Sequence, residues 1–418
     1  MRNERKPDSS AARVKPSPAD ASLVVLGCGG TGGHVFPAIA IAEALETRGA
    51  QPLLLVSAKA IDHQATSTAP HLRAVPLPAV GLERGRLGAF VAGFLRSFQW
   101  CRLEFRRRPP AAVLAMGGFT SAPPVLAARL CRTPAYLHEA NAIPGRANRW
   151  LAHVARRAFT FFPQAARRLA APQIDVLGMP VRPQFQPLDP EPCRLALGLR
   201  PNQPVVLIAG GSQGASGLNQ ALCRALPLVR KTEPDLQFLH LTGPADEAQI
   251  RDAYRASGAT AVARAFLTEM ELALGAATVV IGRAGASFLA EIAAMRVPAL
   301  LIPFPAAVDN HQHLNACAWV ETGAASLLPQ AQATPETLQA RLSDLLHNHV
   351  LRQQQHQNQA RWHQPDAADC IADALLAGSP QRKAHPQTPA NPLPVAIAPL
   401  EPHDGAPSRS PAPNRTSP

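Results

Sequence analysis

Between residues 22 and 377, short apolar runs alternate with longer stretches whose apolar positions recur every three to four residues. The runs 23–26, 53–56, 112–115 and 135–138 have the length and unbroken hydrophobicity of strands buried on both faces. A second series follows at 204–209, 236–241, 278–281 and 299–302. The segments between runs are long enough for crossover helices, which parallel strands need. The pattern therefore predicts an α/β protein of two doubly wound parallel sheets in tandem. The join falls at 181–192, where VRPQFQPLDPEP breaks the periodicity with four prolines and reads as a hinge. Residues 1–21 are polar and aperiodic, and 378–418 are dense in proline; both read as disordered tails.

Composition narrows the picture without deciding it. The 418 residues are 46% apolar, enough for two full cores. Seven cysteines, odd in number and without a CxxC pair, argue against a disulfide framework or a zinc site and suit a reducing compartment. The N-terminus has no apolar leader, and no run reaches the length of a membrane span. A formal charge of +12 points to an anionic partner: nucleotide phosphate, acidic lipid or nucleic acid.

The chemistry sits in the turns. After the first run comes Gly27-Cys28-Gly29-Gly30-Thr31-Gly32-Gly33-His34, and glycines before a helix N-terminus suit an anion. Gly27, Gly29 and Gly32 satisfy GxGxxG, yet Ser57, Ala58 and Lys59 follow the second run where a dinucleotide site needs an acid. His34 lies where the helix dipole favours a neutral ring, so it reads as a general base or as a brace for the loop. The second series opens with VVLIAGGSQGASG, where Ser212 and nearby N–H groups suit a phosphate; the P-loop lysine is missing, and the alternative is a structural turn. Glu291, in IGRAGASFLAEIAA, suits a ribose if it faces a cleft and is otherwise a solvated helix residue. His138, Glu139 and Asn141 at a strand end are candidate ligand contacts, with helix capping the other reading of Asn141. In residues 82–108, Leu87, Phe90, Val91, Phe94, Leu95, Phe98 and Trp100 mix with seven arginines, which suits either an anionic membrane surface or a core-facing helix. Nucleic acid is not expected as a partner, because the aromatics form no stacking platform.

Taken in order, GGTGGHVFPAIAIAEAL, MGGFTSAPP, LHEAN, GMPVR, GGSQGASGLNQ, RAGASFLAE and DNHQHLNA resemble the signatures of the MurG family of bacterial peptidoglycan glycosyltransferases, over residues 22–377. The resemblance implies a GT-B fold. Residues 22–182 would form the acceptor and membrane-binding domain and 183–361 the UDP-GlcNAc domain, with a final helix in 362–377 returning to the first. It implies transfer of N-acetylglucosamine from UDP-GlcNAc to lipid I at the cytoplasmic face of the inner membrane, with no cofactor or metal. By the same resemblance His34 is the base, with Glu139 the second choice. Donor contacts come from Thr31, Gly32, Gly33, Asn141, Arg182, Ser212, Leu267, Gln312 and the run Ala286, Ser287, Phe288, Leu289, Ala290 and Glu291, with Glu291 on the uridine ribose.

Three positions depart from the family pattern. Ala140 stands where HEQN is usual, Phe288 replaces the threonine of RAGAST, and Asn310 and His311 leave the placing of Gln312 open by a residue. Competing readings are an NAD(P) oxidoreductase on the first glycine loop, a basic scaffold for membranes or nucleic acid, and a related glycolipid synthase.

Overall fold

The computed structural model describes residues 21–30, 32–81, 86–211 and 214–378; both predicted disordered tails lie almost wholly outside them. The first domain runs β1 (Leu23–Gly27), α1 (Gly32–Thr47), β2 (Gln51–Ser57), α2 (Ala60–Thr66), β3 (Ala74–Leu77), α3 (Leu87–Arg107), β4 (Ala112–Ala115), α4 (Ala122–Leu130), β5 (Ala135–Glu139), α5 (Arg146–Leu151), β6 (Arg157–Thr160), α6 (Pro163–Ala166) and β7 (Ile174–Val176). The second runs α7 (Pro190–Ala196), β8 (Val205–Ala209), α8 (Ser216–Thr232), β9 (Gln237–Leu241), α9 (Glu247–Ser257), β10 (Ala261–Arg264), α10 (Met270–Ala276), β11 (Val279–Gly282), α11 (Ala286–Met295), β12 (Ala299–Leu301), α12 (His311–Glu321), β13 (Ser326–Leu327), α13 (Pro335–His347) and α14 (His349–Gln359). α15 (Ala367–Ala377) closes the described chain.

All strand pairs are parallel, in the orders β3-β2-β1-β4-β5-β6-β7 and β10-β9-β8-β11-β12-β13. This is the two-domain GT-B arrangement. Each order reverses once, between β1 and β4 and between β8 and β11, and ligand crevices of open α/β sheets open at such points. β1 (LVVLG) and β8 (VVLIA) are buried at every position because helices cover both faces. β3, β6, β7, β10 and β13 did not stand out in the apolar pattern. They are two to four residues long, and several are half-exposed edge strands.

The prolines at the join do more than interrupt. Asp189 caps α7 by accepting the Glu191 N–H, and Pro190 and Pro192 occupy the first turn, where no helical N–H bond is needed. The two domains also share apolar packing. Phe161 and Phe162, just beyond β6, lie 5.7 and 5.2 Å from the Trp362 ring, which stacks on Trp319 of α12 at 5.6 Å. α15 then lies on α1, burying Ile371, Ala372 and Leu375 in the first domain's core. Arg48, at the end of α1, fixes it by bonds to Asp369 (2.7 Å) and Asp373 (2.6 Å).

Candidate active site

The first wall of the cleft is the turn from β1 into α1. Gly29 is pressed against β2, and a Cβ there would lie 2.2 Å from the Ser57 nitrogen. Gly30 has φ +117°, and its N–H donates to the Asp62 carboxylate at 2.7 Å. The same Asp62 oxygen accepts from the Ser57 N–H (2.9 Å) and hydroxyl (2.5 Å), and the whole side chain is buried. Asp62 was not a sequence candidate: it lies five residues past the end of β2, and only the α2 turn brings it back under the loop. The β4–α4 turn supports the loop from the other side, through Thr120 Oγ1 to Gly29 O (2.6 Å) and Ser121 Oγ to Gly27 O (2.8 Å).

His34 rests on this frame. Cβ atoms on Gly117 and Gly118 would fall 3.0 Å from its Nε2 and 3.3 Å from its Nδ1, so those glycines make the bed of the ring. Both have positive φ. Burial pushes the imidazole down to about 4, with the Asp62 charge opposing and His311 assisting. The ring is neutral at pH 7, as the sequence suggested, but desolvation is the largest cause.

The loop after β5 is a closed network. One Glu139 oxygen accepts from the Asn141 N–H (2.8 Å) and amide (3.3 Å), the other from Gly145 N (2.9 Å) and Asn148 Nδ2 (2.9 Å). The carboxylate is buried, and burial raises its pKa against those four donors. Asn141 caps no helix, since Gly145 precedes α5; its oxygen instead accepts from Asn315 Nδ2 of the second domain at 3.1 Å. Asn315, fully buried, also bonds Ala284 O (3.1 Å) and accepts the Ala142 N–H (2.9 Å), joining the two walls. It lay inside the DNHQHLNA motif but was not singled out. Ala140 is itself buried in the shared core.

The opposite wall is the turn from β11 into α11. Gly285 precedes the helix without a side-chain cap, and the first helical bond runs from Leu289 N to Gly285 O. The N–H groups of Ala286, Ser287 and Phe288 thus have no acceptor within the helix and form an anion-binding end. Arg283 is buried beneath, bonding Ile302 O (2.9 Å), Pro303 O (3.1 Å) and Gln330 (2.7 Å), with burial lowering its pKa to about 10. The Phe288 ring lies against Gly282, where a Cβ would approach it to 2.6 Å.

The two helix-launching turns touch directly where Ser287 Oγ donates to Gly33 O at 2.8 Å. Pro37 leaves this carbonyl without its helical donor. It sits four residues after Gly33 inside α1 and has no N–H to return to that carbonyl. A small cavity beside the bond is lined by Phe36, Pro37, Pro180, Val181, Arg182, Ser287 and Glu291. Arg182 lies between the rings of Phe36 (4.8 Å) and Phe185 (5.1 Å), largely buried. Burial raises Glu291 to about 7, with Arg182 opposing and Glu271 adding.

The structure thus gathers Arg182, Ser287 and Glu291 around one cavity, with Gly33 bonded to Ser287 and His34 and Gly32 its chain neighbours in α1. Leu289, Ala290, Ala286 and Leu267 are buried in the shared core. Gln312 accepts the Phe304 N–H at 2.9 Å, at the start of α12. Thr31 and Ser212 lie outside the described residues. Among the described residues, no group of three or more His, Cys, Asp or Glu side chains is placed to hold a metal ion.

Residues 24–160 match the glycosyltransferase family 28 N-terminal domain, and residues 205–371 match its C-terminal domain. The UDP-N-acetylglucosamine--N-acetylmuramyl-(pentapeptide) pyrophosphoryl-undecaprenol N-acetylglucosamine transferase of Anaeromyxobacter dehalogenans (strain 2CP-1 / ATCC BAA-258) is 37% identical over 387 residues, covering 87% of this chain and 97% of the relative. The protein of the same name from Alcanivorax borkumensis is 38% identical over 340 residues, covering 80% and 92%. The crystal structure of Acinetobacter baumannii MurG superposes with a TM-score of 0.67 at 26% identity, over 85% of this chain and 99% of that one. UDP-GlcNAc 2-epimerase from Neisseria meningitidis, solved with UDP-GlcNAc bound, shares the fold at 13% identity and a TM-score of 0.61 over 85% and 99%. With matching domains in both halves and relatives aligned end to end, this chain belongs to glycosyltransferase family 28, in its MurG family of N-acetylglucosaminyltransferases.

Proposed function

We propose that the chain transfers N-acetylglucosamine from UDP-GlcNAc to the 4-hydroxyl of MurNAc in undecaprenyl-diphospho-MurNAc-pentapeptide, converting lipid I to lipid II, by one inverting displacement. The observation that carries this is the placing of a neutral His34 on one wall, one residue from the carbonyl bonded by Ser287 at the anion-binding end of α11. His34 takes the proton of the attacking hydroxyl as its oxygen bonds the anomeric carbon, and the bond from that carbon to the diphosphate breaks. The leaving UDP is held by the N–H groups opening α11 and by Arg182. Glu291 takes the ribose hydroxyls. Thr31, Gly32, Gly33, Asn141, Ser212, Leu267, Gln312 and the backbone of 286–290 complete the donor contacts. Glu139 is the weaker choice of base, since four donors already fill its oxygens.

The site works at a membrane in this reading. One face of α3 packs into the first domain through Gly93, Ser97, Cys101 and Phe105, while Leu87, Val91 and Leu95 are exposed at four-residue spacing among arginines. That face suits the anionic cytoplasmic surface of the inner membrane. No described helix is long and apolar enough to cross one.

The test is transfer of label from radiolabelled UDP-GlcNAc to a short-chain lipid I analogue, with His34→Ala in parallel. Transfer by wild type and not by the variant is the expected result; absence of UDP-GlcNAc binding overturns the reading.

A further inference from the structure

A carboxylate as deeply buried as that of Asp62 is tolerated only where donors are fixed around it. Three are, all on one oxygen: Gly30 N–H, Ser57 N–H and Ser57 hydroxyl. Gly30 belongs to the turn that launches α1, four residues before His34, and its positive φ leaves the course of that turn to its contacts. In a phosphate-binding loop such an N–H faces the ligand. Here a resident carboxylate takes that place, so the turn is already anchored without substrate. We propose that Asp62 is a positioning residue for the reaction, clamping the glycine turn so that His34 is seated against Gly117 and Gly118, and supplying a fixed negative charge beneath it. This rests on the reading of His34 as base.

The charged and titratable groups that bear on the His34 ring come from three elements: Asp62 on α2, His311 on α12 and His138 on β5. The histidines are cationic only when protonated, so Asp62 is the standing charge among them. Its sign favours the imidazolium that forms as the acceptor hydroxyl loses its proton. The clamp and the charge separate by substitution. Asp62→Asn keeps the shape and the acceptor oxygen but removes the charge; Asp62→Ala removes both.

Both variants are tested in the full-length protein by NMR titration of His34, amide hydrogen exchange at Gly30, and steady-state kinetics with UDP-GlcNAc. Asp62→Asn is expected to move the His34 midpoint to lower pH and to reduce kcat while leaving donor KM within about twofold, because the retained amide oxygen still holds the Gly30 N–H and the α11 wall is untouched. Asp62→Ala is expected to speed exchange at Gly30 by about tenfold or more, as loss of a bond to a charged acceptor requires. An unmoved His34 midpoint in Asp62→Asn overturns the proposal, as does unchanged Gly30 exchange in Asp62→Ala. If the alanine variant does not fold, the isosteric asparagine decides by its midpoint and kcat. The titration and exchange are made on free protein, so they stand whether or not wild type transfers the sugar, and a failure of the proposed reaction is distinguishable.

Discussion

The turns after β1 and after β11 are built alike, each a strand end at a switch point leading through glycine into a helix, yet they treat an anion in opposite ways. At the first, the Asp62 carboxylate already occupies the Gly30 N–H, and the turn serves to carry His34. At the second, Gly285 brings no cap, and three N–H groups at the start of α11 find no acceptor within the helix. One wall is anchored and the other is receptive. A glycine-rich motif therefore reports that backbone comes close to something; which side chain returns to the loop decides whether that something is protein or ligand.

The comparison breaks most sharply at its two distinctive groups. His34→Ala is expected to lower kcat by about 100-fold to 10,000-fold, the worth of a positioned general base, with UDP-GlcNAc binding by calorimetry unchanged. Gly285→Asp would give the second wall the internal anion that the first one has. A Cβ at Gly285 meets nothing within 4 Å and the backbone suits any residue, so the carboxylate has room to cap α11. The expected result is a donor KM raised about tenfold or more, together with roughly 1 kcal/mol of added stability in a denaturant melt.

The pH dependence divides along the same line. Glu291 is raised to about 7, so its charged form, the proposed acceptor of the ribose hydroxyls, fills as pH rises through 7. Donor KM should fall several-fold across that range, and Glu291→Gln should abolish the dependence. His34, lowered to about 4, stays neutral throughout, so kcat at saturating substrates should hold until pH falls toward 4. The smallest effect belongs to Ser287→Ala, which removes only the bond to Gly33. About 1 kcal/mol, seen as a few-fold rise in donor KM, is expected.

The buried strands were legible because both of their faces are covered, which leaves unbroken apolar runs such as LVVLG and VVLIA. The edge strands were not, since IDV and SL carry too few residues for a period to show. Among the site residues, those beside glycines could be read from local chemistry. Asp62 and Asn315 could not, because each acts on a partner more than 30 residues away. Asn141 reads in the sequence as a ligand contact or a cap, and the second meaning fails because Gly145 precedes α5 while the Asn141 oxygen accepts from Asn315. In α3 the apolar content was legible, but its division between Cys101 and Phe105 inside and Leu87, Val91 and Leu95 outside needed the packing.

Pro37 bears on how the two domains recognise each other. An ordinary helix is indifferent to its surroundings short of its last turn, because each carbonyl there is spoken for by the chain itself. A proline inside α1 leaves one of those oxygens addressed to the outside, at a spot the sequence alone selects, four residues upstream. Restoring an N–H at position 37 would let α1 answer its own carbonyl, and the hydroxyl of Ser287 would become a competitor instead of the intended correspondent.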